Sequence, residues 1–185
     1  MGNRGGALHN DTKQIVRPYA SRRWIACVLE FRERHRIVMS PNRYTELFFL
    51  DEAVAFSAGH RPCAECRRER YNAFRYAWQR FKEQDRPPLA DEMDAELHRA
   101  RLDTQHKKLT YEARMGSLPD GSFVQVAGRA HLVWDDALLL WTPEGYTAKE
   151  RRPKDSVAVV LTPKPIVECF RQGYRPDVHA SSQFL

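Results

Sequence analysis

Apolar and polar positions alternate through RRWIACVLEF, residues 22–31, putting Ile25, Cys27, Leu29 and Phe31 on one face of a predicted β-strand. RERH then reads as a turn and RIVMS as the returning strand of a hairpin. TELFF, beyond the Pro41-Asn42 breaker, reads as a third short strand. The period changes at Asp51, a natural N-cap for a short helix over EAVAFSA that Gly59 stops. Pro62 cannot continue that helix and forces a new element. From Cys66 to about Gln84, Tyr71, Phe74, Trp78 and Phe81 recur at helical spacing, and such a stripe belongs to a core more readily than to a stacking surface.

After Asp85-Arg86-Pro87-Pro88, LADEMDAELHRARL predicts a further helix with Leu89, Met93 and Leu97 inward. The texture then becomes β. A Pro-Asp-Gly turn is followed by FVQV, AHLVW, ALLLWT and VAVVLT, separated by Gly, Asp-Asp and Pro-Glu-Gly, which predicts an antiparallel meander or small barrel. PKPIVECFRQGY closes as a short helix with Ile166, Val167 and Phe170 inward, stopped by Gly173. The first twenty residues read as an irregular arm. Hairpin, thiol knuckle, helices, meander and last helix together make an α+β chain. Two segments are expected, 1–84 and 85–185, packed as one unit.

A length of 185 residues suits a single domain with a core of its own, so no disulfide framework is needed. No apolar run approaches membrane-spanning length, and the N-terminus lacks the apolar stretch of a signal peptide. A cytoplasmic location and no membrane partner are expected, and there cysteines serve metals or reactive chemistry more often than disulfides. The net charge of +6 is carried largely by arginine, in one run at Arg22, Arg23, Arg32, Arg34 and Arg36 and another at Arg61, Arg67, Arg68 and Arg70. The planar guanidinium fork suits phosphate, so the balance supports a polyanionic partner.

The chemistry concentrates in SAGHRPCAECRRER, residues 57–70. A redox couple at Cys63 and Cys66 would need easily ionised thiols, which Glu65 between them opposes. Burial as inert core residues fits poorly with the polar flanks HRP and RRER. Metal binding fits best: the knuckle supplies two thiolates, and a structural zinc needs two more ligands to close its tetrahedron. Cys27, on a separate predicted strand, is the natural third. For the fourth, His60 is too close to the knuckle, His35 sits far along the hairpin, and Cys169 reads as a buried, inert thiol. His9, on the Gly-rich arm, is favoured.

The stretch FFLDEAVAFSAGHRPCAEC resembles the segment that closes the zinc site in the metal-binding N-terminal domain of Ada-type DNA-repair proteins. The match runs through Phe48, Ala53, Ala58, Gly59, Arg61, Pro62, Cys63 and Cys66. The resemblance implies zinc held by cysteines, contact with the DNA backbone, and an Ada-like module over residues 1–84. That family uses four cysteines, one of which accepts a methyl group from a phosphotriester. Here only Cys27 stands upstream, and three cysteines with a nitrogen ligand make a less nucleophilic site, which points away from methyl transfer.

The expected function is a zinc-binding protein that contacts nucleic acid, DNA in preference, through Arg22, Arg23, Arg61, Arg67 and Arg68, in DNA repair or regulation. One alternative is a metal-dependent enzyme acting on nucleic acid or a nucleotide, with His98, Glu96, His106 and the Asp135-Asp136 pair as its candidates. Another is a protein-interaction module with a structural zinc, presenting Trp134, Trp141 and Tyr146 on the meander.

Overall fold

A computed structural model describes residues 1–33 and 37–185 and has an α+β architecture. The strand expected over 22–31 is confined to Ile25–Ala26 (β2). It pairs antiparallel with Gly2–Asn3 (β1) and parallel with Arg61–Pro62 (β3), in the order β1-β2-β3. The expected hairpin does not form among the described residues, because the apolar face it needs has nothing to cover it: Leu29 and Ile37 are 73% and 81% exposed. The mates of β2 come instead from the N-terminal arm and from the segment before the knuckle. TELFF contributes only a single bridge, Leu47 to Gly2.

Among the described residues, four α-helices form where the 3.6-residue period runs. Glu52–Ser57 (α1) starts at Asp51, whose Oδ1 accepts the Val54 N–H at 2.8 Å. It ends at Ala58, and Gly59 at φ +84° carries the chain away. Arg68–Lys82 (α2), Ala90–Arg101 (α3) and Lys164–Arg171 (α4) follow. Their apolar faces meet in one cluster that includes Phe56, Phe74, Trp78, Met93, Leu97, Ile166 and Phe170. The aromatic stripe of α2 is therefore core. Leu89 departs from expectation: it is the extended residue before α3, its N–H given to the Glu92 carboxylate at 2.6 Å and its side chain exposed.

The meander is a six-stranded antiparallel sheet: Tyr111–Arg114 (β4), Phe123–Val126 (β5), Arg129–Trp134 (β6), Ala137–Thr142 (β7), Gly145–Arg151 (β8) and Val157–Val160 (β9). Its order is β4-β9-β5-β6-β7-β8. Sequence pattern misses β4 and β8, and these are the two edges. Edge strands carry charge that discourages further pairing, as Lys149, Glu150 and Arg151 do here, so they lack the apolar run of the interior strands. Asp135 and Asp136 make the turn between β6 and β7, with Asp136 held by Lys154 at 2.6 Å. Tyr146 is buried and gives its hydroxyl to Asp51 at 2.7 Å, while Trp134 and Trp141 pack against the same sheet cluster. No helix among the described residues is long and apolar enough to cross a membrane.

Candidate functional site

The parallel pairing of β2 and β3 brings the candidate metal ligands together. Its register sets Ile25 opposite Arg61 and Ala26 opposite Pro62, so Cys27 and Cys63 leave adjacent strands at the same level. Pro62 is tolerated because β3 is an edge strand and needs no outward donor. The Cys63 N–H reaches the Ala26 carbonyl at 2.9 Å, and the Cys27 N–H the Met1 carbonyl at 2.7 Å, which fixes both thiols from the main chain. Cys66 follows one turn later, where the Arg67 N–H returns to the Cys63 carbonyl at 3.2 Å and α2 begins. The three sulfurs lie within 4.8 Å of one another, close enough to hold a metal ion. All three are half-buried and unbridged.

The environment distinguishes the three thiols. The Cys27 thiol donates to Cys63, and the N–H groups of Cys66 and Glu65 also point at its sulfur, which together hold Cys63 down to about 5 against the cost of burial. The Glu65 nitrogen is 3.4 Å from that sulfur. Cys27 is pushed up, first by that same hydrogen bond and then by burial. Burial also raises Cys66, against the Val28 N–H. One thiolate thus forms readily and its neighbours keep their protons until a cation displaces them, a donor set that fits a thiophilic metal.

No family model, curated protein or solved structure matches the chain.

His9 does not join the cysteines. Its Nδ1 lies 2.6 Å from the Thr45 hydroxyl and its Nε2 3.3 Å from the Ser40 carbonyl, so both nitrogens serve the loop before α1. No histidine or carboxylate among the described residues completes the group. His35 lies outside the described residues. His60 is fully buried, packed between Trp24 and Phe49. Cys169 is buried in the helical core, where desolvation raises its thiol well above the ordinary range.

The arginines behind the knuckle divide in two. Arg61 is 2% exposed and spends its fork on Asp94, so it is a core residue rather than a surface contact. Arg67 reaches Glu52 and Asp177, both at 3.3 Å. Arg22 and Arg68 are exposed, and Arg23 makes an exposed pair with Asp91 at 3.0 Å. Arg34 and Arg36 lie outside the described residues. Of the enzyme candidates, Glu96 binds Lys82 at 2.6 Å, while His98 and His106 both meet Tyr19, His106 through a 3.1 Å contact between Nδ1 and the phenol.

Proposed function

We propose that the chain is a zinc protein whose metal is structural, and that it contacts nucleic acid through the arginines beside the knuckle. The observation that carries the metal half is the convergence of three sulfurs from β2, β3 and the start of α2. An ion there would tie Cys27 to the Cys63–Cys66 knuckle, two segments far apart in sequence, which is the work of a structural thiolate site. Three thiolates favour zinc over magnesium or calcium, which prefer oxygen. The resemblance to the Ada-type metal domain agrees with this donor set.

The nucleic-acid half is supported by the net charge of +6 and by the exposed guanidiniums of Arg22, Arg23 and Arg68. Arg23 stays available because an exposed ion pair is worth little.

Purified protein should carry one equivalent of zinc, lost in Cys27→Ala and in Cys63→Ala but kept in Cys169→Ser. Retained metal in both cysteine variants would overturn the metal reading. Binding to a mixed-sequence DNA duplex should weaken with salt, each phosphate contact contributing a slope of about −0.9 in log K against log salt. Arg22→Ala and Arg68→Ala should each flatten that slope. A salt-independent interaction, or none, would remove the nucleic-acid half alone.

A further inference from the structure

A cleft of about 640 Å³ opens between the N-terminal arm, the end of α1, the end of α3 and the sheet. Its walls carry Arg4, Arg101, His106 and Lys108, and no carboxylate among the described residues lines it. These cations are poorly compensated. Arg101 is 2% exposed; its Nε and Nη1 are satisfied by the Leu97 and Arg22 carbonyls, while its Nη2 has no hydrogen-bond partner among the described residues. The Arg4 Nε is likewise buried without a partner. Both guanidiniums lie over the Trp24 ring, at 3.8 and 4.4 Å from its centroid. Lys108 is an exposed residue whose ammonium turns inward to the Ser57 carbonyl at 2.5 Å. Gly59 makes room for this arrangement, since a Cβ there would stand 3.2 Å from the Arg101 Cδ.

Holding three like charges around one partly dry space is unfavourable unless something of opposite sign enters it. Burial lowers the proton affinity of Arg4, Arg101 and Lys108 alike; the Arg4 charge lowers the other two further, although Asp94 offsets this at Arg101. The rest of the lining selects what the anion is attached to. Phe48 is 61% exposed at the cleft, and Trp141, also in the wall, has a buried indole N–H with no partner among the described residues. An exposed ring face suits stacking by a planar heterocycle, and an unpaired donor suits one of its acceptors. The volume falls within the range of small-ligand sites.

We infer that this cleft binds a nucleotide, its phosphate on Arg4, Arg101 and Lys108 and its base against Phe48 and Trp141. The inference is read from the cleft alone and stands apart from the metal and from Arg68. The nucleotide is either free or the end of a single strand, and the phosphate-plus-base chemistry is common to both.

Calorimetric titration of the full chain with AMP, UMP, inorganic phosphate and a 5′-phosphorylated single-stranded hexanucleotide tests it. AMP or UMP should bind more tightly than inorganic phosphate, and a tighter hexanucleotide would identify the strand end as the source. Lys108→Ala should weaken nucleotide and inorganic phosphate alike, by about tenfold or more. Phe48→Ala should weaken the nucleotides and leave phosphate unchanged. Both substitutions are at exposed residues and leave the core intact, whereas Arg101→Gln is a core change and serves only as a third variant. Arg68→Ala should have no effect on AMP. No binding by any of the probes at millimolar concentration, or binding indifferent to both Lys108→Ala and Phe48→Ala, would overturn the proposal.

Discussion

Arg61 and Asp94 form a buried, two-point ion pair: Nε meets Oδ1 at 2.9 Å and Nη2 meets Oδ2 at 2.7 Å, with each side chain at most 3% exposed. The pair locks β3, and with it the thiol knuckle, to the middle of α3. Removing one partner strands a charge in the core, so Asp94→Ala should cost about 3–5 kcal/mol. Urea unfolding measures this. The double variant Arg61→Leu/Asp94→Leu should lose less than Asp94→Ala alone, because it leaves no unpaired charge. A near-neutral Asp94→Ala would show that the guanidinium finds water.

Glu52 plays a similar part for the end of the chain. Its side chain is 1% exposed and is gripped by Arg70, by Arg67 at 3.3 Å, by the Tyr174 hydroxyl at 2.9 Å and by the Asp177 N–H at 3.0 Å. Glu52→Ala should destabilise by several kcal/mol and loosen residues 174–179 first, since that carboxylate joins Tyr174 and Asp177 to the arginines of α2. Amide hydrogen exchange should show early protection loss at Tyr174 and Asp177. Uniform loss across the chain would mean that the contact supports the whole fold instead.

How far the sequence speaks follows from what each residue's neighbours are. Helices declare themselves locally: the Asp51 cap, the Gly59 stop and the Phe74–Trp78 stripe are all written within a turn or two. Interior strands of the meander do the same through apolar runs. The edge strands do not, because charge is what an edge requires. The hairpin expectation fails for a related reason: alternation over 22–31 specifies a face but not a mate, and the mates are the N-terminal arm and the segment before the knuckle. The three cysteines were legible because their spacing and separate elements matched a donor set. The fourth-ligand choice of His9 and the phosphate role of Arg61 failed, because Thr45 and Asp94 are distant in sequence and claim them first. Among the cleft cations, Arg4 comes from a segment remote from Arg101 and Lys108, and the three leave no motif.

The thiols should separate by reactivity. Metal-loaded protein should resist alkylation, and chelation should expose three cysteines, with Cys63 reacting first because its thiolate forms most easily. Cys169, with no exposed surface, should react only in denaturant. Mass mapping of iodoacetamide adducts reads this directly. Modification of Cys169 in the folded chain would contradict its place in the core.

His60 should make stability depend on pH. It is fully buried, and desolvation, then Arg4 and Arg101, push its pKa well below the ordinary 6.5. The unfolded chain therefore binds a proton near 6.5 that the folded chain refuses. Stability from this residue is complete above that value and falls by about 1.4 kcal/mol per pH unit as pH drops below it, until the folded pKa is reached. His60→Phe should remove that part of the slope between pH 7 and 5. Urea unfolding of both proteins over this range isolates it, since acid loss of metal affects the two alike. Parallel curves would show that His60 gains its proton without unfolding.

Nucleotide affinity should decline in alkali through Lys108. In the free protein its ammonium is lowered to about 8, chiefly by desolvation and secondarily by Arg4. A bound phosphate favours the charged form and must raise that value. Affinity is then level below the free pKa and falls above it, approaching tenfold per pH unit until the bound-state pKa is passed. The ligand does not contribute over this range, since a phosphate monoester completes its second ionisation near pH 6. Arg4 and Arg101 keep their protons, as guanidiniums do. Lys108→Arg should accordingly bind AMP with an affinity that is flat between pH 7.5 and 9.5 while the parent's falls. If parent and variant decline together, the charge that matters lies elsewhere in the cleft.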